Sequence, residues 1–155
     1  TEELSMIVKR TSRVIGASIS DDAAYEIARR SRKTPRIANR LLKRVSDFAL
    51  VMGGGEINLD VTLHALNKLK IDSDGLDNTD IEYLMSIINK FNGGPVGVES
   101  IATSIGEEVT NVEDVIEPFL LQEGYVKRTS RGRIVTEKTY KHFKINNQMT
   151  LFDIM

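Results

Sequence analysis

The spacing of apolar residues changes abruptly near residue 124, and this change limits the possible folds more than any other feature. Before that point, apolar residues recur at the three- and four-residue intervals that are typical of helices. The stretch "GYVKRTSRGRIVT" then contains two short β-prone runs around a turn with Gly132. A series of helices followed by a single hairpin predicts a mainly α protein that ends in a two-stranded β-hairpin.

Four helices are predicted in the first half of the chain. Ser20 caps the second helix, Thr34 starts the third, the glycines at 53–55 end it, and the fourth runs from about residue 58 to residue 70. The leucines expected on the inner face of the fourth helix are Leu59, Leu63, Leu66 and Leu69. Residues 1–74 are therefore predicted to form a small four-helix domain.

The second half is predicted to be a separate domain. The acidic stretch "DSDGLDN" at 72–78 is expected to be a linker, and a helix capped by Asp77 or Thr79 follows it. After the turn "NGGPVG" come a short helix over "ESIATSI", a third helix and the hairpin. Three helices and a two-stranded wing are the order of a winged-helix domain, predicted here over 75–145, with 146–155 as a tail.

The third helix of this domain carries only negative charge. "TNVE" is expected to open it with a capping box of Thr110 and Glu113, and Pro118 is expected to bend it. Its acidic residues are Glu113, Asp114, Glu117 and Glu123. In many winged-helix proteins this helix reads bases in the major groove. Since an acidic helix would repel the DNA backbone, we expect binding without sequence reading.

Basic side chains crowd the tip of the predicted hairpin. Arg128, Arg131 and Arg133 lie there with Lys127 beside them, and like charges that meet across two strands cost stability. An anion that bridges them would remove this cost, and in a winged-helix domain we expect that anion to be a DNA backbone phosphate. The alternative is a solvated loop whose charges are screened by salt.

Charge is distributed unevenly along the whole chain. Residues 1–50 contain 11 Lys and Arg against 6 Asp and Glu, residues 51–123 contain 3 against 14, and residues 124–155 contain 7 against 2. Two basic ends around an acidic middle indicate two separate contacts with anions.

The sequence carries no signal for catalysis. It has no Cys, and its two histidines, His64 and His142, lack the spacing of metal ligands. It has no G-x-x-x-x-G-K-[ST] loop and no apolar run near the roughly 18 residues of a membrane span. We therefore expect no metal site and no catalysis by this chain alone. The opening "TEELSMIVKR" has the pattern of a helix interior, so we expect the chain to be part of a longer protein.

The segment "TPRIANRLLKR" at 34–44 places an arginine where a helix does not favour one. Thr34 is a suitable N-cap, and Pro35 suits the first helical position. Arg36 then falls in the first turn, where the helix dipole is already positive. This placement requires a compensating role for Arg36.

Four segments together resemble the RuvB family, hexameric ATPases that drive branch migration of Holliday junctions. They are "TPRIANRLLKRVSDFA" at 34–49, "FNGGPVG" at 91–97, "VEDVIEPFLLQEG" at 112–124 and "RTSRGR" at 128–133. The resemblance covers about residues 1–144. It implies that the first domain is the helical lid of an AAA+ ATPase, and that the nucleotide-binding domain of the family is missing from this chain.

The resemblance also implies a role for Arg36. It matches the sensor-two arginine, which reaches from the lid to the terminal phosphates of the nucleotide, with Pro35 beside it. A phosphate there would gain from the guanidinium and from the free N–H groups of the helix start. The alternative is an ion pair with a carboxylate such as Asp22. Lys33 departs from the family, since it stands where Gly is usual. The family also often has a basic residue near Val109, which this sequence lacks.

Further expectations follow from the same resemblance. The full-length protein is expected to be a homo-hexameric DNA helicase of the bacterial cytoplasm that uses ATP with Mg²⁺ and releases ADP. This part alone, without a P-loop, is expected to be inactive. The expected partners are double-stranded DNA at Holliday junctions, RuvA and RuvC, and the expected processes are recombination, DNA repair and the SOS response.

Two other functions fit parts of the sequence. A non-enzymatic DNA-binding regulator with a helical dimerisation domain would not need the arginine at residue 36. A winged helix that binds only protein would leave the arginine-rich hairpin unexplained.

The tail "NNQMTLFDIM" lies beyond the resemblance and is unusually apolar for a chain end. Its "QMTLF" resembles the Q-[LM]-x-L-F peptide that docks on the bacterial sliding clamp. Gln148 would then bind at the mouth of the clamp pocket, and Met149, Leu151 and Phe152 would fill an apolar cleft. The alternative is that these side chains fold back on the winged helix.

Overall fold

The computed structural model describes residues 1–144, and the chain divides into two compact units at the boundary between Asp77 and Asn78. The first unit consists of helices, and the second combines helices with a two-stranded antiparallel sheet. The predicted fold class is therefore confirmed. No helix within residues 1–144 is both long and apolar enough to span a bilayer.

The first unit contains α1 (Glu2–Val14), α2 (Asp21–Arg29), α3 (Pro35–Met52) and α4 (Leu59–Lys68). Two of the helix starts follow the expected chemistry. The Ser20 hydroxyl accepts a hydrogen bond from the amide of Ala23 at 3.3 Å, and the Asn58 side chain accepts one from the amide of Val61 at 2.8 Å.

Buried faces of all four helices form the core of the first unit. The fully buried members of this core include Val8, Ala24, Ile27, Leu42, Val45, Ile57 and Leu66. On α4, the predicted inner face is partly wrong, because Leu63 is 39% exposed while Thr62 is buried. Thr62, Ala65 and Leu66 face the core instead, which rotates the buried stripe by about one residue.

The second unit contains α5 (Asn78–Phe91), α6 (Val98–Ile105), α7 (Val109–Asn111) and α8 (Glu117–Gln122), followed by β1 (Val126–Thr129), β2 (Gly132–Val135) and α9 (Glu137–His142). A π-helical turn, Val112–Ile116, joins α7 to α8. We call the stretch from α7 to α8 the 109–122 segment. It occupies the place of the third helix of a winged-helix domain.

The start of the 109–122 segment differs from the prediction. Its N-cap is Glu108, whose backbone is extended, so Thr110 and Glu113 lie inside the helix and do not form a capping box. Pro118 lies in the first turn of α8, directly after the π-helical turn. A proline is tolerated there because the hydrogen-bond pattern of the helix already changes at that point.

The wing consists of β1 and β2, which pair so that Val126 faces Val135 and Arg128 faces Arg133. The "GGPVG" stretch is predicted only as a turn, but its residue Val96 also pairs with Arg133 along the outer edge of β2. The Val96 amide donates to the Arg133 carbonyl at 3.0 Å, and the Arg133 amide donates to the Val96 carbonyl at 2.7 Å. The wing is therefore fixed to the chain between α5 and α6.

Candidate functional site

Arg128 and Arg133 lie directly opposite each other in the wing, and one carboxylate joins them. Arg133 donates to both oxygens of Glu117, from Nε to Oε2 at 2.9 Å and from Nη2 to Oε1 at 3.1 Å. Arg128 donates from Nη2 to Oε1 at 3.3 Å. The bridging anion predicted from the crowding of like charges exists, but it belongs to the protein itself.

Glu117 is fully buried, and Tyr83 of α5 donates a further hydrogen bond to its Oε2. Burial alone would raise the pKa of Glu117, but the hydrogen bonds from Arg133, Tyr83 and Arg128 outweigh it and hold the pKa below its usual range. Burial and the bond to Glu117 raise the pKa of Tyr83. At neutral pH the centre of this network is therefore a carboxylate surrounded by donors.

The position of Glu117 corrects one prediction. It was expected on an acidic surface that repels DNA, together with Glu113, Asp114 and Glu123. Instead, its side chain points into the domain toward the wing, because α8 begins at Glu117 and packs against β1. Glu113 also lies near the wing, with its carboxylate 3.8 Å from Arg133, whereas Asp114 is exposed.

The four basic side chains of the wing differ in exposure. The Arg133 side chain is 14% exposed and the Arg128 side chain is 51% exposed, while Lys127 and Arg131 are both exposed. At the tip, the Arg131 amide donates to the Thr129 hydroxyl at 3.2 Å. The tight turn thus presents Arg131 at the end of the hairpin, and Arg133 lies beneath the surface.

Arg36 lies in the first turn of α3, where the sequence places it, and it is exposed. Across residues 1–144 it forms no hydrogen bond or ion pair. The alternative pair with Asp22 is not formed, since that carboxylate accepts from the Ser20 hydroxyl at 2.5 Å and from the Ala23 amide at 2.8 Å. The guanidinium of Arg36 is therefore available to an external anion.

The turn before α3 has an unusual backbone. Arg32 and Lys33 both adopt left-handed conformations, with φ of 57° and 60°, a region that L-residues rarely occupy. The Thr34 hydroxyl donates to the Arg32 carbonyl at 3.0 Å and forms no hydrogen bond with the first-turn amides. This tight turn sets the direction in which α3 begins and so the position of Arg36.

Several other arginines bind backbone carbonyls of the first unit. Arg29, Arg30 and Arg32 donate to the carbonyls of Ser73, Ile71 and Gly75 at 2.6, 3.0 and 3.0 Å. These bonds fasten the 71–77 loop to the end of α2 and the turn that follows. Part of the positive charge in residues 1–50 therefore serves the fold and is not offered to an external anion. Backbone carbonyl acceptors have no sequence signature, so nothing in the sequence indicated these bonds.

Each histidine contacts residues of its own unit. His64 contacts the carbonyl of Asp60 through Nδ1 at 2.8 Å, and His142 packs edge-on against Tyr125 and Phe143. In the part of the chain that the structure describes, no three or more acidic or histidine side chains are grouped so as to hold a metal ion.

Comparison with known families agrees with this geometry. The RuvB AAA lid domain matches residues 1–72, and the RuvB C-terminal winged helix domain matches residues 73–144. The chain belongs to the RuvB family. The two matched domains follow each other in the order that the resemblance implied.

Individual relatives support the same assignment. The chain is 53% identical over 152 residues to the Holliday junction branch migration complex subunit RuvB of Acholeplasma laidlawii. It is 48% identical to the solved RuvB Holliday junction branch migration motor of Thermotoga maritima, with a TM-score of 0.86 over 94% of this chain. A point variant of the Thermotoga protein gives the same TM-score. The chain spans 45% of the Acholeplasma protein and 49% of the Thermotoga chain.

The predicted sliding-clamp peptide, with Gln148, Met149, Leu151 and Phe152, lies outside the described residues 1–144. It stays a prediction from the sequence.

Proposed function

We propose that this chain is the lid and winged-helix part of an ATP-driven motor that moves Holliday junctions by branch migration. The observation that carries the proposal is the match of RuvB-family domains to both units in succession. The Thermotoga relative is itself described as a Holliday junction branch migration motor.

In this proposal the wing holds the DNA backbone. Lys127, Arg128 and Arg131 offer exposed cations at one end of the domain, and cations of this kind bind phosphates without reading sequence. The 109–122 segment contains no basic residue, so it lacks the arginine or lysine that most commonly reads guanine from a recognition helix. Arg133 belongs to the same predicted site, but its guanidinium is already bound to Glu117.

The lid senses nucleotide through Arg36. An exposed arginine that has no ion-pair partner within residues 1–144, at the start of an 18-residue helix, suits the terminal phosphates of ATP. ATP with Mg²⁺ supplies the cleavable phosphoanhydride, and Arg36 holds the phosphates while Pro35 fixes the backbone beside them. The preceding part of the full-length protein supplies most of the nucleotide site. The lid position then depends on whether ATP or ADP is bound.

Branch migration of a synthetic four-way junction by the full-length protein tests the proposal. We expect ATP-dependent conversion of the labelled junction to duplex products, and no conversion with ADP. A protein that binds the junction but does not convert it to duplex products in the presence of ATP would refute the motor function. The proposed assembly is a homo-hexamer that works with RuvA and RuvC, and addition of RuvA should increase the rate of conversion.

The tail supports a second, independent proposal from its sequence. A fluorescent peptide of residues 145–155 is expected to bind the sliding clamp, and a peptide with Leu151→Ala and Phe152→Ala is expected not to bind. Equal binding of both peptides would exclude docking through the "QMTLF" motif.

The alternative of a non-enzymatic regulator is not favoured. Its helical domain would serve dimerisation, whereas the first unit matches the AAA lid of RuvB.

A further inference from the structure

The wing network contains a feature that the proposed function does not use. Glu117 is a buried carboxylate with two arginine partners and a tyrosine partner, and it lies on the segment that in other winged-helix proteins faces DNA. A carboxylate next to DNA-binding arginines would ordinarily weaken binding by competing with the phosphates. The presence of a carboxylate at this place calls for a physical reason.

We infer that Glu117 is a positioning residue of the wing: it anchors Arg133 beneath the surface and orients Arg128 toward the DNA phosphate. The inference rests on the proposed binding of the DNA backbone by the wing. It assigns different roles to two arginines that face each other in the hairpin.

The geometry separates the two arginines. Arg133 uses Nε and Nη2 on Glu117, is 14% exposed, and has Glu113 as a second carboxylate 3.8 Å away. Arg128 uses one nitrogen at 3.3 Å and is 51% exposed. An arginine has five N–H donors, so Arg128 retains most of its donors for a phosphate while one of them is fixed.

The charges lead to the same assignment. Arg133 faces two carboxylates, because it donates two hydrogen bonds to Glu117 and also lies beside Glu113. Arg128 shares only one oxygen of Glu117, so its exposed guanidinium is the less neutralised of the two. Anchoring this side chain before DNA arrives reduces the rotamer freedom that binding would otherwise remove.

Glu117→Gln gives a test in which positioning and simple electrostatics predict opposite signs. The substitution adds one positive charge to the domain, so electrostatics alone predicts tighter DNA binding and a steeper salt dependence. Positioning predicts binding that is weaker by about three- to tenfold, because the neutral amide keeps one acceptor oxygen but loses the charge that holds Arg128 in place. Asp114→Asn is the matched control, since it makes the same charge change at an exposed site on the same segment, and it should bind slightly more tightly.

A second variant preserves the test if Glu117→Gln fails to fold. The triple change Tyr83→Phe, Glu117→Met and Arg133→Met replaces the buried polar groups by apolar ones of similar size, which folded proteins often tolerate. It leaves the net charge unchanged and Arg128 without its anchor. Positioning predicts the same three- to tenfold loss of affinity at an unchanged melting temperature. Unchanged affinity in this variant would overturn the inference.

The experiment measures fluorescence anisotropy of a labelled four-way junction with the full-length protein at several salt concentrations. Arg131→Ala is measured beside the other variants because it tests wing binding itself. If Arg131→Ala leaves affinity unchanged, the wing is not the DNA site and the proposed function of the wing fails. If Arg131→Ala weakens binding while Glu117→Gln tightens it as Asp114→Asn does, only the role of Glu117 is overturned.

Discussion

Arg128 and Arg133 face each other across the wing hairpin and share the carboxylate of Glu117. Two like charges in directly opposed positions would destabilise a hairpin. The shared carboxylate removes this repulsion within the domain, before any DNA is present. The two arginines therefore differ from Arg131, whose guanidinium lies at the tip of the same hairpin.

This difference predicts how the wing responds to alanine substitutions. Arg131→Ala and Lys127→Ala should each weaken junction binding by a factor that does not depend on the DNA sequence. Each should also lower the slope of log affinity against log salt concentration by about one unit, as a lost phosphate contact does. The salt dependence of anisotropy measures both effects. Arg133→Ala should instead lower the free energy of unfolding by roughly 3–5 kcal/mol, because it leaves buried Glu117 without its main partner.

Thermal unfolding followed by circular dichroism distinguishes the two classes of variant. An Arg133→Ala protein that unfolds at the same temperature as the parent, yet loses one unit of salt slope, would make Arg133 a phosphate contact like Arg131.

Acid should weaken the wing through Glu117. The pKa of Glu117 is lowered in the folded protein, so its contribution is complete above the ordinary carboxyl range near pH 4.3 and is lost as pH falls through the lowered value. The stability difference between the parent and Glu117→Gln should therefore be largest at neutral pH and shrink below about pH 4. Amide hydrogen exchange of Val126 and Val135 at several pH values measures this difference. A constant difference across that range would show that the charge of Glu117 does not stabilise the wing.

Gly132 is required for the close contact between the wing and the "GGPVG" stretch. Its φ is +134°, and a Cβ there would lie 2.5 Å from the Val96 carbonyl oxygen and 2.6 Å from its carbon. Gly132→Ala should therefore break the pairing of Val96 with Arg133 and cost roughly 1–3 kcal/mol of unfolding free energy. Gly97→Ser is the control, because a Cβ at Gly97 meets nothing within 4 Å and serine suits this N-cap. Equal melting temperatures for the two variants would contradict the prediction.

Arg36 is expected to contribute to nucleotide use by the lid. In the full-length protein, Arg36→Ala should reduce ATP hydrolysis and branch migration by at least about tenfold, as expected when a charge-assisted contact to phosphate is removed. Junction binding and melting temperature should not change, since Arg36 is exposed and has no partner within residues 1–144. Arg40→Ala, one turn further along α3 and also exposed, is the matched control. Normal turnover by Arg36→Ala would remove Arg36 from the nucleotide site.

Much of the fold could be predicted because its signals are local. Ser20 and Asn58 start helices by accepting a hydrogen bond from the amide three residues ahead, and the change of period after residue 123 marks the hairpin. One of the wrong predictions also rests on a local pattern. Thr110 and Glu113 have the spacing of a capping box, but the helix begins one residue before Thr110.

The candidate site was predictable only in part, because its partners are distant in sequence. Glu117 bonds to Tyr83 and Arg133 across 34 and 16 positions, and no spacing rule connects them. The sequence showed that the wing arginines need an anion, but a buried glutamate and a DNA phosphate satisfy that need equally well. Only the packing of α8 beside the wing distinguishes the two.

The turn before α3 gives the last prediction. Lys33 occupies a left-handed conformation with φ of 60°, which costs an L-residue about 1–2 kcal/mol and glycine almost nothing. Lys33→Gly should therefore have a free energy of unfolding about 0.5–1 kcal/mol above that of Lys33→Ala, after the greater freedom of glycine in the unfolded chain is subtracted. Lys33→Ala removes the same charge but keeps the strained backbone, so it should give no such gain. Urea unfolding of the three proteins measures the difference, and an equal gain for Ala and Gly would assign the effect to charge rather than to backbone strain.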